Sequence, residues 1–188
     1  MTYPKMTTAI VAALFLVSGQ ALAEDWKPLL SKRLPQYGHR NWIIIADSAY
    51  PKQSAPGIET IYTGDGQLDV LKHVLKEVDA AKHVRPVIML DAELESVPEE
   101  NAPGVETYRE GLKSLFGERP LKVMKHEDII RELDEGSKLF NILLLKTDMT
   151  IPYTSVFIEL DCGYWSEEKE TELRDLIERG GQEAIENR

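Results

Sequence analysis

Histidine, aspartate, tyrosine and serine residues lie beside predicted strand ends, where polar side chains can act on a ligand. The first group is His39, in a Gly-His-Arg-Asn segment, followed after an apolar run by Asp47. Histidine has an unperturbed pKa of about 6.5, so it can donate or accept a proton near neutral pH. An aspartate carboxylate accepts hydrogen bonds from a polar ligand. These residue types suit general acid–base chemistry.

His39 and Asp47 lie on opposite sides of one predicted strand. Eight residues of extended chain place them roughly 26 Å apart, at about 3.3 Å per residue, so they cannot touch within one straight strand. If both act on one ligand, either His39 folds back over the sheet or the site is shared between subunits. Asp47 follows the carboxyl end of the strand, where open α/β sheets bind ligands. A loop or capping histidine, and an Asx turn or N-cap at Asp47, remain alternative interpretations.

Two further polar clusters stand beside later strands. His126 comes directly after a predicted strand and is followed by Glu127 and Asp128, and Tyr153 and Ser155 lie at the start of the final strand. Acidic residues in a first helical turn favour the positive end of the helix dipole, which explains the two acids but not His126. The phenol of Tyr153 either hydrogen-bonds a ligand or covers the edge of the core.

Hydrophobic periodicity predicts strands and helices that alternate along the chain. The continuous β-branched run at 42–46 is typical of a strand buried on both faces. Apolar residues three and four positions apart over 67–81 predict an amphipathic helix. Further strands are predicted at 58–62, 86–90, 121–124, 140–145 and 154–160, and further helices at 25–37, 105–116 and 127–133. This alternation predicts a single α/β domain with a largely parallel central sheet and helices on both faces.

Composition excludes several classes of function. The chain has 188 residues, which fits one domain, and 43% are hydrophobic, which is enough for a core. Its formal charge of −10 argues against nucleic acid and anionic membranes as partners. Cys162 is the single cysteine, which excludes an intrachain disulfide and a thiolate-rich metal site. Four histidines leave little material for an all-histidine metal site, and no phosphate-binding loop or other cofactor motif is found.

The N-terminal segment 1–23 has the features of a secretory signal peptide. Lys5 precedes an apolar run at 9–17, and Ala21-Leu22-Ala23 forms a small-residue cleavage site. No other segment approaches the roughly 20 apolar residues of a membrane span. We therefore expect a periplasmic or secreted protein that leaves the membrane after cleavage. An uncleaved anchor or a buried helix is the alternative interpretation of this segment.

The C-terminal tail at 166–188 is rich in acidic residues and has few apolar positions. Its pattern predicts a solvated amphipathic helix, because a run of charges is usually a wet surface. A partner-binding tail is the alternative. The predicted organisation is therefore a signal peptide at 1–23, an α/β domain at 24–165 and an acidic helical tail at 166–188.

In this order, the polar clusters resemble the D-ribose pyranase / L-fucose mutarotase family. The features that match its members in type and spacing are Gly38-His39 before a hydrophobic strand, Asp47 and Pro51 after it, His126 after a later strand, and Tyr153 at the start of the last. The middle of the chain, with Tyr108-Arg109-x-x-Leu112, is more similar to the fucose branch. The resemblance covers about 29–165.

The resemblance implies a three-layer α/β/α fold and a homo-oligomer with sites near subunit contacts. It also implies an isomerase that interconverts the anomers or ring forms of a monosaccharide of the fucose or ribose type, with no cofactor. His39 would be the general acid and base. Asp47, His126, Tyr153 and Ser155 would hold or polarise the sugar hydroxyls.

The chain departs from the family pattern in three places. Arg40-Asn41 stand where the family has a small residue and an aspartate, and Ser155 replaces an asparagine. Thr147-Asp148-Met149 occupy the place of a Thr-Gly-Glu segment. These departures keep a non-catalytic monosaccharide-binding protein of the same fold as an alternative. A third interpretation is an unrelated α/β domain that uses its acidic tail to bind a partner.

Overall fold

In the computed structural model, which describes the backbone of residues 25–186 and side chains as far as residue 179, six strands form one sheet. They are β1 (Trp42–Ala46), β2 (Ile58–Tyr62), β3 (Val84–Asp91), β4 (Leu121–Met124), β5 (Ile142–Lys146) and β6 (Val156–Cys162). The predicted signal peptide at 1–23 lies outside the described residues, so it stays a prediction.

The strand order is β2-β5-β1-β6-β3-β4. β5 pairs in parallel with both β1 and β2, and β3 pairs in parallel with β4. β6 is antiparallel to both of its neighbours, β1 and β3. Five of the six strands in the described part of the chain therefore point the same way, and the prediction of a largely parallel sheet is confirmed.

Helices cover both faces of this sheet. They are α1 (Trp26–Arg33), α2 (Gln67–Ala80), α3 (Val105–Phe116), α4 (His126–Gly136) and α5 (Glu167–Glu186). Side chains of α1, α2 and α3 share one buried cluster with Ile43 and Ile45 of β1. Side chains of α4 share the opposite cluster with Trp42 and Ile44. Because successive residues of a strand face opposite sides, β1 is buried on both faces, and the expected three-layer α/β/α fold is confirmed.

Strand boundaries differ from the predictions where pairing or a turn decides them. β3 begins at Val84 instead of 86, because Val84 pairs with Cys162 of β6. β5 begins at Ile142 instead of 140, because the backbone N–H of Phe140 still donates to the carbonyl of Gly136 in the turn that ends α4. β6 runs from Val156 instead of 154.

The acidic tail forms α5, whose described side chains are mostly exposed. Its apolar residues Leu173, Leu176 and Ile177 are 40%, 60% and 64% exposed. Across the described residues, we find no helix with the length and apolarity that a bilayer crossing requires.

Candidate functional site

Four of the predicted site residues lie at one edge of the sheet. Asp47 follows the last residue of β1, and His126 lies two residues after the end of β4. Tyr153 and Ser155 precede β6. Because β6 is antiparallel to its neighbours, its first residues lie at the edge where the other strands end. The direction of β6 therefore brings Tyr153 and Ser155 to the edge that carries Asp47 and His126.

Asp47 and Ser155 are directly bonded across this edge. The Ser155 hydroxyl donates to Oδ2 of Asp47 over 2.9 Å, and the backbone N–H of Asp47 donates back to Oγ of Ser155 over 3.3 Å. Oδ1 of Asp47 accepts from the backbone N–H groups of Ala49 at 2.9 Å and Tyr50 at 3.1 Å. The Asx turn expected as an alternative is thus present, and both carboxylate oxygens are held in place.

His126 is held through both its ring and its backbone. Its Nδ1 lies 3.1 Å from Oδ2 of Asp91, the last residue of β3. Its backbone N–H donates to the carboxylate of Glu93, at 3.0 and 3.2 Å from the two oxygens. His126 is the first residue of α4, so Glu93 also satisfies a free N–H at a helix N-terminus.

The carboxylate of Asp91 is fully buried, whereas the side chain of His126 is 35% exposed. Burial raises the pKa of Asp91 to about 6, because a buried site disfavours the charged form. The charge and the hydrogen bond of His126 oppose this pKa shift, and the nearby carboxylates of Glu93 and Asp47 add to it. Strongly perturbed carboxyl groups in a cleft are typical of functional sites.

Tyr153 projects from a strained backbone beside His126. Its φ is 60°, in the left-handed region that non-glycine residues rarely adopt. Its ring stands edge-to-face against the imidazole of His126, with centroids 5.8 Å apart and planes at 77°. The side chain is 40% exposed. Strain of this kind clusters at functional sites.

Of the predicted site residues, Asp47, His126 and Tyr153 line one cleft of about 350 Å³. A cavity of this size suits a small polar molecule. Its lining residues are Asp47, Ala49, Tyr50, Pro51, Gln53, His126, Ile130, Pro152 and Tyr153.

A network of buried hydrogen bonds lies beside the strand ends that carry these residues. The amide of Gln67 donates to the carbonyls of Ile45 at 3.3 Å and Thr154 at 2.6 Å, and accepts from the hydroxyl of Thr147. The phenol of Tyr108 donates to the same Thr154 carbonyl over 2.6 Å. These bonds tie the ends of β1 and β5 to the start of β6, which keeps the cleft residues in a defined geometry.

His39 lies at the opposite edge of the same sheet. Its Nε2 is 3.4 Å from Oδ1 of Asp161, a carboxylate that also pairs with Arg85 at 2.5 Å. Asp161 lies six positions after Ser155 along β6, which is about 20 Å of extended chain. Within one chain, His39 therefore does not join the other four residues, as the spacing in the sequence requires.

Arg40 and Asn41, two of the residues that depart from the family pattern, shape the loop that carries His39. The backbone N–H of Gly38 donates to Oδ1 of Asn41 over 2.8 Å. Arg40 has a φ of 73°, its backbone N–H donates to the carbonyl of Leu160, and its guanidinium lies 5.8 Å from the centroid of the Phe140 ring. Asn41 thus supplies the side-chain acceptor that shapes this loop.

Sequence reasoning missed Asp91, Glu93, Tyr50 and Gln53 as members of the site. The sequence did contain a signal for Asp91. It is the last residue of a buried strand, and Asp47 directly follows another, so both lie where the strands of a parallel sheet end. Buried polar atoms without a partner among the described residues are Oη of Tyr50, Oε1 of Gln53 and Oδ1 of Asp91. Burial also raises the pKa of the Tyr50 phenol, which therefore stays protonated.

Among the described residues, we find no group of three or more histidine, cysteine, aspartate or glutamate side chains placed to hold a metal ion. The arrangement provides a carboxylate, an imidazole and a phenol around a small cleft. It can bind hydroxyl groups and transfer protons.

Comparison with protein-family models and with curated proteins finds no match. Solved structures do match in fold. Bacillus subtilis RbsD, complexed with D-ribose, aligns with a TM-score of 0.51 and 19% identity over 81% of this chain and 98% of that chain. The fucose mutarotase of Streptococcus pneumoniae, in complex with L-fucose, aligns with a TM-score of 0.48 and 19% identity over 71% of this chain and 91% of that chain. The match to RbsD shows that this chain has the same fold, and at that level it confirms the resemblance to the D-ribose pyranase / L-fucose mutarotase family.

Proposed function

We propose that this chain interconverts the anomers or ring forms of a monosaccharide of the ribose or fucose type by general acid–base catalysis. The observation that carries the proposal is the convergence of Asp47, His126 and Tyr153 on one small cleft. A carboxylate and an imidazole are hydrogen-bond partners for sugar hydroxyls. The apolar body of an aromatic ring can pack against the C–H face of a sugar, and its hydroxyl adds a polar contact.

The reaction requires only proton transfers. One proton is delivered to the ring oxygen and one is removed from the anomeric hydroxyl, so the ring opens to the free aldehyde. The aldehyde rotates, and the ring closes on its other face. Each positioned acid or base contributes about 10²–10⁴-fold to such a rate.

We assign the general acid and base role of His39 to a site shared between copies of the chain. Within one chain His39 lies at the far edge of the sheet, and its side chain is 58% exposed. In a homo-oligomer, the exposed imidazole of one copy can enter the cleft of its neighbour. Because the N-terminal segment has the pattern of a signal peptide, we propose that the chain acts in the periplasm or outside the cell.

A non-catalytic monosaccharide-binding protein is the second candidate. The observation that favours it is the hydroxyl of Ser155, whose single hydrogen is donated to Asp47. This short side chain gives the cleft fewer free donors than the asparagine amide of the family pattern. Such a site could hold a sugar without accelerating its ring opening.

Magnetization-exchange NMR on D-ribose, L-fucose and D-galactose separates the two candidates. We expect anomeric or ring-form exchange to accelerate when the protein is added, and the acceleration to be lost in His39→Ala. His73→Ala is the matched control, because His73 lies in α2, which packs on the sheet face opposite the core cluster that contains Tyr50 of the cleft. Line broadening without faster exchange would support the binding protein instead. No effect on any of the three sugars would contradict both.

A further inference from the structure

We propose that Asp91 is a positioning residue that holds His126 in one tautomer, so that Nε2 of His126 removes the anomeric proton of the sugar. This inference rests on the proposed function and extends it, because it assigns the second proton-transfer group and the residue that orients it. The two residues meet only in the fold, from the end of β3 and the start of α4.

The tautomer follows from the contact between the two side chains. Oδ2 of Asp91 lies 3.1 Å from Nδ1 of His126. An ionised carboxylate can only accept hydrogen bonds, so Nδ1 must carry the hydrogen and donate it. A neutral imidazole has one N–H, so its Nε2 is left with a free lone pair. Nε2 is then a proton acceptor.

A second contact holds the main chain of His126. Glu93 accepts the N–H of His126 with both carboxylate oxygens, at 3.0 and 3.2 Å. Asp91 and Glu93 stand two residues apart, at the end of β3 and in the short 3-10 helix that follows it. One short segment therefore contacts both the main chain and the ring of His126. A proton-transfer group must be held in a defined orientation, and these two contacts provide it.

The burial of Asp91 argues against a purely stabilising role. Its carboxylate has no exposed surface, and its second oxygen, Oδ1, has no hydrogen-bond partner among the described residues. Burying a charged group is unfavourable unless its bonds are satisfied, so a neutral side chain would suit stability better. A carboxylate kept at such a position is typical of a site where activity and stability compete.

The imidazole faces a ligand-sized cleft. His126 lines the cleft together with Asp47 and Tyr153, and the Tyr153 ring packs edge-to-face on the imidazole. Since Nδ1 is engaged by the buried Asp91, Nε2 is the ring nitrogen left for a ligand. In the proposal, a sugar hydroxyl bound in this cleft approaches Nε2.

The proton-transfer step balances. Nε2 of His126 takes the proton of the anomeric hydroxyl, the bond between C1 and the ring oxygen breaks, and the C1 carbonyl forms. The ring oxygen receives a proton from His39 of a neighbouring copy, so this inference divides the two roles that the proposed function gave to His39: His39 is the acid for ring opening and His126 the base. Ring closure runs the same transfers in reverse on the other face, so both groups return to their starting state.

Sugar exchange with purified full-length protein tests the catalytic half of the inference. In magnetization-exchange NMR on D-ribose and L-fucose between pH 5 and 8.5, we expect Asp91→Asn to lower the exchange rate at least about tenfold at pH 8. The dependence of the exchange rate on pH should also change, because the variant removes the carboxylate that contacts the imidazole of His126. The other charged groups beside His126 are unchanged in the variant, and they are Asp47, Glu93, Glu127, Arg131, Asp134 and Glu135. Asp79→Asn is the matched control: this exposed aspartate pairs with Arg119 away from the cleft, and its exchange rate should equal that of the wild type. An unchanged rate and pH profile in Asp91→Asn would overturn the inference.

Imidazole ¹⁵N NMR tests the positioning half without any sugar. At pH 8 we expect Nδ1 of His126 to carry the hydrogen in the wild type, and the Nε2–H form to gain population in Asp91→Asn, since an amide can donate to Nδ1. His126→Gln identifies the signals by their loss. A wild-type His126 protonated on Nε2 overturns the inference even if Asp91→Asn does not fold. If the wild type accelerates exchange of neither sugar, both the proposed function and the proton-transfer step are wrong. The ¹⁵N measurement of the His126 tautomer still tests, independently, whether Asp91 positions His126.

Discussion

The hydroxyl of Ser155 and the carboxylate of Asp47 form a reciprocal pair, in which the hydroxyl donates to Oδ2 and accepts from the backbone N–H of Asp47. The two residues are 108 positions apart in the chain. They meet because β6 is antiparallel to β1. Ser155 therefore acts on the cleft mainly through Asp47, which it orients.

Replacing Ser155 with alanine should loosen Asp47 without displacing it. Two backbone N–H groups still hold Oδ1, so we expect the free energy of unfolding to fall by only about 1 kcal/mol, the net value of one hydrogen bond. The sugar concentration that gives half-maximal exchange should rise several-fold, as measured by NMR. Ser137→Ala is the control, since its hydroxyl bonds the carbonyl of Asp134 in an exposed turn. A weaker sugar interaction in the control alone would contradict the role of Ser155.

Mixed oligomers test whether His39 serves the cleft of a neighbouring copy. His39→Ala and His126→Ala should each be inactive alone. When the two variants are refolded together, we expect activity to return, because some interfaces then pair an intact His39 with an intact cleft. Random pairing across a two-subunit site restores about one quarter of the sites.

The control mixture pairs His126→Ala with Asp47→Asn. Both changes lie in the same cleft, so mixed interfaces should regain nothing. Recovery in the control, or none in the first mixture, would show that His39 does not complete the site of another copy.

The buried carboxylate of Asp91 should make stability depend on pH. Burial raises its pKa from 3.8 to about 6, so the folded state holds this proton more tightly than the unfolded chain. Ionised Asp91 therefore lowers the free energy of unfolding. This loss of stability is absent below about pH 4, grows as pH rises, and is complete above about pH 6. His126, Glu93 and Asp47 face Asp91 and set this window together. At pH 8, Asp91→Asn should therefore increase the free energy of unfolding by about 1–3 kcal/mol.

Urea unfolding of the wild type and Asp91→Asn between pH 4 and 8 measures this difference. The amount by which the free energy of unfolding of Asp91→Asn exceeds that of the wild type should shrink as pH falls towards 4. A difference between the two proteins that is constant with pH would contradict a raised pKa at Asp91.

Glycine and alanine at position 153 separate backbone strain from the loss of the ring. Both substitutions remove the phenol, so both should weaken the interaction with sugar equally. Only glycine adopts a φ of 60° without strain. The free energy of unfolding of Tyr153→Gly should therefore be about 1 kcal/mol higher than that of Tyr153→Ala. Thermal unfolding and NMR exchange measure the two effects. Equal stability would show that the backbone is not strained, and unchanged sugar exchange would remove Tyr153 from the site.

The fold class could be predicted from the sequence because each element has a local cause. The β-branched run of β1 and the three-and-four spacing of α2 depend on neighbouring residues, so their type and order were predicted. Asp47, His126, Tyr153 and Ser155 could be named as candidates because they lie beside strand ends, and the structure places them at one edge of the sheet. The Asp91–His126 contact was not predicted, because it joins different elements through the pairing of β3 with β4.

The sequence by itself determined which segments become strands and helices, and that polar residues follow the buried strands. Only the tertiary structure decided that β6 runs against its neighbours, which carries Tyr153 and Ser155 to the edge where β1 and β4 end. It also placed His39 at the other edge, beside Asp161. The physical reason is that hydrophobic periodicity records the burial of each strand but not its direction in the sheet, and direction decides which side chains meet.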